Sequence, residues 1–155
     1  MERIYPPAYA HFWDDGGAWY INHLYNPTNF ARELVEPLAH YYLVQWRDAD
    51  CGILRVIGPA PVEGRSEVKL NRIYLGEEVQ GQGIGRALVE WVEATFCTAS
   101  ETVLWLEAME QQPQARRFYE KLGFSSTRHF AYPYEGLLPE MRGAFRMEKI
   151  VTNRS

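Results

Sequence analysis

The chain has 155 residues, 46% apolar and 23% charged, enough for one hydrophobic core and not for two, so a single domain over residues 1–155 is expected. Aromatics make up 14%, and this apolar content with balanced charge excludes a disordered chain. A net charge of −4 leaves no basic stripe for a duplex, so no nucleic-acid partner is expected.

The start, Met1-Glu2-Arg3-Ile4-Tyr5-Pro6-Pro7, lacks the basic-then-apolar order of a secretory signal, and no apolar run is long enough to span a bilayer. A cytoplasmic protein with no membrane partner is expected. Residues 1–37 read as helices. Asp14 or Asp15 suits the cap of a helix carrying Trp19, Tyr20 and Leu24 and ended by Asn26-Pro27. A second helix from Thr28 carries Phe30, Ala31, Leu34 and Val35 and stops before Pro37.

Strand formers crowd residues 41–46, and Asp48-Ala49-Asp50-Cys51-Gly52 supplies turn chemistry for a hairpin into 53–57. Gly58-Pro59-Ala60-Pro61 reads as a loop. Residues 66–75 alternate Val68, Leu70 and Arg72 against Lys69, Asn71 and Ile73, a third strand. Ile84, Leu88, Trp91, Val92 and Phe96 recur at helical spacing. A strand over 102–109 follows. Pro113 then opens a helix that buries Ala115, Phe118 and Leu122 and ends at Gly123. Strands at 124–132 and 145–150, joined through Pro133, Gly136 and Pro139, close the chain. Cys51 and Cys97 have no partner at metal-ligand spacing and read as buried small hydrophobes, and His11, His23, His40 and His129 are equally isolated, so no metal is expected.

Between the third strand and the following helix stands Gln80-Gly81-Gln82-Gly83-Ile84-Gly85-Arg86. Glycines let a backbone approach a ligand, and free amides at a helix start favour phosphate oxygens. The same glycines also read as a flexible turn. A Walker loop is excluded, since no Gly-Lys pair occurs. A dinucleotide fingerprint is disfavoured, because Arg86 or Leu88 stands where its third glycine belongs.

Gln80, Gly83 and Gly85 fit the pattern Q-x-x-G-x-G. Gln112-Pro113-Gln114-Ala115-Arg116-Arg117-Phe118-Tyr119-Glu120-Lys121-Leu122-Gly123-Phe124 fits N-x-x-A-x-x-F-Y-E-K-L-G-F apart from its first residue. With both segments in this order and spacing, the chain resembles the GNAT superfamily of N-acetyltransferases, closely over 66–124 and loosely beyond.

The resemblance implies an α/β (α+β) fold with a mixed, mostly antiparallel central sheet of about six or seven strands flanked by about four helices. It implies acetyl-coenzyme A as cofactor, gripped at its pyrophosphate by the amides of Gln80, Gly81, Gln82, Gly83, Ile84, Gly85 and Arg86. The pantetheine arm would lie between the strand holding Ile73, Tyr74 and Leu75 and the strand around Leu106, with Leu75's backbone polarising the thioester. Gln112, Ala115, Phe118 and Tyr119 complete the implied cofactor contacts, although Gln112 stands where the family has Asn.

Tyr119 matches the position of the family's general acid. A thiol titrates near ~8.5 and tyrosine near ~10, so the proton transfer is feasible. Tyr119 also reads as a core tyrosine with a hydrogen-bonded hydroxyl. Glu107, twelve residues earlier, matches the base of the ribosomal-protein alanine acetyltransferase branch; it reads equally as a strand-end carboxylate bonding an amide. Another branch places its Glu where this chain has Lys69. Glu67 is a substitute base or, on the other reading, a solvated charge.

The implied activity is transfer of the acetyl group to a primary amine of a small molecule or peptide by direct attack in a ternary complex. Trp13, Trp19, Tyr20, Tyr25 and Phe30 on one side and Tyr132, Tyr134 and Glu135 on the other would form an aromatic, mildly acidic acceptor pocket suited to a cationic amine; the same rings also read as core. Two alternatives stand beside this activity: a catalytically silent acetyl-coenzyme A sensor or interaction module, and a transferase of longer acyl groups. A homodimer is the ordinary prior for assembly.

Overall fold

The computed structural model describes residues 1–153. β-Branched and aromatic residues set up Ala39–Trp46 (β1), Ala49–Val62 (β2) and Arg65–Leu75 (β3). The first hairpin turns earlier than its Asp-rich segment implies. Trp46 pairs with Ala49, and Arg47 and Asp48 take positive φ of 49° and 64°, the twist that joins adjacent antiparallel strands. Gly58-Pro59-Ala60-Pro61 is not a loop but lies inside β2, because a register shift between Ile57 and Ala60 leaves out the ladder bonds that proline cannot make.

Ile84–Phe96 (α4), Glu101–Met109 (β4), Pro113–Lys121 (α5), Ser125–Ala131 (β5) and Gly143–Thr152 (β6) complete the sheet and one helical layer. The six strands run β1-β2-β3-β4-β6-β5. Every neighbouring pair is antiparallel except β3 and β4. Val89, Val92 and Phe96 of α4 pack with Leu54, Val56, Val68 and Leu104 in the main core, as the helical spacing requires. Both cysteines are buried there, and burial pushes the Cys97 thiol up to about 11. In α5, Ala115, Phe118 and Leu122 are only partly buried.

Tyr5–Tyr9 (α1), Ala18–Leu24 (α2) and Pro27–Leu34 (α3) bring the α-helices of the described residues to five, in keeping with the expected handful of about four. Pro6 and Pro7 do not break α1, since a first turn needs no amide donor. The N-cap of α2 is Gly17, at φ 92°, rather than Asp14 or Asp15, and Asp15 stands two residues earlier and accepts from the amides of Gly17 and Trp19 at 2.9 and 2.7 Å.

The orientation of α3 reverses the apolar reading. Phe30, Leu34 and Val35 are exposed, and Asn29 and Glu33 are buried. The cause is ionic: Glu33 meets Arg72 Nη2 at 2.8 Å and Arg55 Nε at 3.4 Å, and the Arg55 side chain is 4% exposed. A buried guanidinium without a carboxylate would cost several kcal/mol, roughly more than exposing two aliphatic side chains.

β3 and β4 pair only from Ser66–Thr102 to Lys69–Trp105. Beyond that rung, the right-handed twist carries β3 toward β2 and β4 toward β6, and the sheet splits. The split is roofed by the N-terminal segment, which is pinned to the loop before β6: Leu138 N donates to Phe12 O at 2.9 Å and Asp14 N to Gly136 O at 3.0 Å.

Candidate active site

β3 delivers Leu75 to the open end of the split, and a 3₁₀ turn over Glu77–Val79 leads into the glycine segment. Gly81 and Gly83 sit at φ +76° and +77°, with nothing within 4 Å of where a Cβ would stand. They are glycines because of backbone conformation. Gly85 is glycine for space: a Cβ there would lie 3.2 Å from Phe118 Cζ, so its absence lets the first turn of α4 close on α5.

No side chain caps α4. Among the described residues, the amides of Gly81, Gln82, Gly83, Ile84, Gly85 and Arg86 donate to no protein acceptor. This is a cradle of free N–H groups at the positive end of a helix, and its donor chemistry fits a diphosphate.

A cavity of about 450 Å3 lies against this cradle, lined by Leu75, Gln80, Gly81, Gly83, Ile84, Gly85, Arg86 and Phe118. Gln82 is not in its wall; its side-chain amide donates to Glu78 O at 3.2 Å. The Arg86 guanidinium pairs with Glu90 at 2.9 Å on the surface. The partial burial of α5 follows from this cavity, since Ala115 and Phe118 face it rather than the core.

On the other side of the split a second cavity, of about 540 Å3, is walled by Trp13, Tyr20, Lys69, Glu107, Tyr132 and Tyr134 among others. Tyr9, Ile73, Tyr74, Gln112, Ala115 and Tyr119 line both cavities, so the two meet there.

Of the predicted acid and base, Tyr119 lines both cavities and Glu107 lines the second. The Tyr119 ring is edge-on to Phe118 and Phe124. Burial, and next the neighbouring Tyr9, pushes its hydroxyl pKa up, so it stays protonated. Glu107 stands two residues past the last β3–β4 rung. Its Oε1 meets Lys69 Nζ at 3.1 Å and its Oε2 accepts from Tyr132 OH at 2.5 Å. It bonds side chains, not the backbone amide of its alternative reading. Gln112 is buried and donates to Ala8 O at 3.1 Å, tying α5 to α1.

Three expectations are corrected. Glu67 is not a solvated charge: it is buried, paired with Arg65 at 3.2 Å and Arg146 at 3.5 Å, and lines neither cavity. Of the proposed acceptor aromatics, Trp13, Tyr20, Tyr132 and Tyr134 face the second cavity. Trp19 instead stacks on His23, Tyr25 lies under Arg72, and Phe30 packs on Tyr41, each outside the wall. Glu135 is outside as well and contributes a carbonyl to Arg142.

Sequence reasoning missed Tyr5, Tyr9 and Phe12, which line the second cavity. Tyr5 and Tyr9, at i and i+4 of α1, stack at 4.8 Å, and that spacing was the available signal. Among the described residues, no group of three His, Cys, Asp or Glu is placed to hold a metal, and no helix is long and apolar enough to cross a membrane.

Residues 37–126, more than half of the chain, match the family model described as an acetyltransferase (GNAT) domain. The chain is 26% identical over 111 residues to an uncharacterized N-acetyltransferase in the pepI 3′ region of Lactobacillus delbrueckii subsp. lactis. That match covers 70% of this chain and 64%, under two thirds, of the relative. Similar solved structures include the ribosomal-protein-S18-alanine N-acetyltransferase of Escherichia coli, with TM-score 0.66, 20% identity, and 89% of this chain and 88% of that one covered. Arabidopsis thaliana Naa50 in complex with a bisubstrate analogue of CoA has TM-score 0.63, 20% identity, and coverage of 84% and 87%. A chimera of Vibrio cholerae spermidine N-acetyltransferase SpeG and hSSAT has TM-score 0.60, 18% identity, and coverage of 78% and 72%. At these identities the solved structures establish the shared fold.

Proposed function

The chain belongs to the acetyltransferase (GNAT) domain family, and on that premise we propose that it transfers the acetyl group of acetyl-coenzyme A to a primary amine of a small molecule or peptide, by direct attack in a ternary complex. The observation that carries this is the meeting of two cavities, one on a helix-start amide cradle and one on a carboxylate, at Tyr119.

The amides of Gly81, Gln82, Gly83, Ile84, Gly85 and Arg86, with Gln80 beside them, hold the diphosphate. Ile73, Tyr74 and Leu75 lie on the β3 edge that has no β4 partner beyond Lys69, and its main-chain groups align the pantetheine arm. Leu75's backbone polarises the carbonyl. Bound acetyl-coenzyme A supplies an acyl carbon activated by its thioester and a thiolate leaving group.

Glu107, through a water, takes the proton that the attacking amine sheds, a contribution of ~10²- to 10⁴-fold. An alkyl ammonium titrates near ~10.4, so such help matters at neutral pH. Tyr119 gives its hydroxyl proton to the departing sulfur. Lys69 and Tyr132 orient the carboxylate.

A second reading is favoured by one observation: both Glu107 oxygens are already engaged, which suits a catalytically silent acetyl-coenzyme A module. Turnover separates the two. An amine panel with acetyl-coenzyme A, followed by thiol release, gives activity that Tyr119→Phe largely abolishes with cofactor affinity retained. No release with any amine class sinks the transferase reading.

A further inference from the structure

The second cavity has a composition that restricts what it can admit. Its charged lining residues are Lys69, Arg72 and Glu107. Each is paired: Lys69 with Glu107 in the wall, and Arg72 with the buried Glu33 behind it. The wall therefore has one carboxylate, and that carboxylate has its own cation.

Four of the tyrosine hydroxyls in the wall are committed as well. Tyr5 OH accepts from Trp13 Nε1 at 2.8 Å, Tyr20 OH lies 3.3 Å from Tyr74 OH, and Tyr132 OH donates to Glu107. Burial pushes the Tyr9 hydroxyl up to about 12 and also raises those of Tyr20 and Tyr74, so the phenols are neutral and lend no anionic charge. What the cavity offers a guest is aromatic ring surface and neutral polar groups, among them the Tyr9 and Tyr134 hydroxyls and Asn71, around a single carboxylate.

We infer that the acceptor is a monoamine carried on a flat aromatic body, and that polyamines are excluded. This rests on the acyl-transfer reading for the word acceptor, and on the wall alone for the selectivity. A guest ring loses no polar solvation when it enters among Trp13, Tyr132 and Tyr134, and it gains offset or edge-on contacts. Its one amino group reaches the Glu107 end. A polyamine's further ammonium groups would shed water with no free carboxylate to receive them, and ring faces alone offset that loss incompletely. A volume of about 540 Å3 falls in the range that holds one such molecule. Spermidine N-acetyltransferases share the fold, and the wall chemistry separates this chain from their named substrate.

The test is calorimetric titration of the full chain, with and without coenzyme A, using 2-phenylethylamine and spermidine, alongside thiol release with acetyl-coenzyme A and each amine. Tyr134 is 40% exposed and stacks on Tyr132 at 5.7 Å, so its replacement should spare the fold. The expected result is saturable binding of 2-phenylethylamine at least about tenfold tighter than spermidine, weakened several-fold by Tyr134→Ala and kept by Tyr134→Phe.

Equal or tighter spermidine binding overturns the inference, as does no binding of either amine or indifference to Tyr134→Ala. If 2-phenylethylamine binds and no thiol appears, acyl transfer fails while the selectivity stands. Equal kcat/KM for both amines keeps acyl transfer and removes the selectivity.

Discussion

Lys69 Nζ lies 3.1 Å from Glu107 Oε1, bridging two strands at the point where their pairing ends. Both side chains are about a quarter exposed, at 24% and 25%, so the pair contributes at most ~1 kcal/mol to stability. Its consequence is positional: it fixes a carboxylate in the wall of the second cavity. Lys69→Met should therefore leave stability within about 1 kcal/mol by denaturant titration. Glu107→Gln should lower turnover by ~10²- to 10⁴-fold with acetyl-coenzyme A affinity unchanged. Unchanged turnover in Glu107→Gln would remove it as base.

Tyr119 faces both cavities, and burial holds its proton well beyond the ordinary tyrosine range. Its ionisation should therefore not limit kcat between neutral pH and pH 10.0, the unshifted value. Tyr119→Phe should reduce kcat throughout this window by ~10²-fold or more, with the pH profile's shape otherwise kept. A wild-type profile that falls near 10, with the fall removed by Tyr119→Phe, would contradict the burial argument.

Much of this was legible because the determinants are local. The strand–glycine–helix segment and the helix carrying Phe118 and Tyr119 are each specified by residues close in the chain. The orientation of α3 was not legible, since Glu33 turns inward for Arg55 and Arg72, 22 and 39 residues away. Glu67 misled for the same reason: its partner Arg146 comes from β6, which does not adjoin β3. The continuation of β2 through two prolines depended on a bulge that only the β3 register reveals. The engagement of Glu107 likewise needed the path of the segment after β5, which brings Tyr132 to it.

The aromatic walls make stability depend on alkaline pH. Burial raises the hydroxyl pKa of Tyr9 to about 12 and raises those of Tyr20, Tyr41 and Tyr74 above the unshifted 10.0. The folded chain holds these protons more tightly than the unfolded chain. Their contribution is thus complete below pH 10 and is lost as pH rises through the folded values. Melting temperature should be flat from neutral pH to about 9 and fall steeply above 10, with phenolate absorbance rising together with unfolding. Gradual phenolate formation in a still-folded chain would contradict it.

Glu33 holds α3 to the sheet. Glu33→Ala strands the Arg72 guanidinium, whose side chain is 9% exposed, and leaves Arg55 only its pair with Glu36 and its bond to Asn71. The expected loss is ~3–5 kcal/mol, or roughly 6–20 °C in melting temperature for a chain of this size. A drop under about 2 °C by scanning calorimetry would show that the network is not holding the helix.

Acetyl transfer as proposed requires the amide cradle from Gly81 to Arg86 to hold a diphosphate. Titration of the full chain with acetyl-coenzyme A in a calorimeter reads it directly. One saturable site is predicted, displaced by coenzyme A. Gly83→Val forces a branched side chain to φ +77° and should weaken binding about tenfold or more. No saturable uptake, or uptake indifferent to Gly83→Val, would contradict the account.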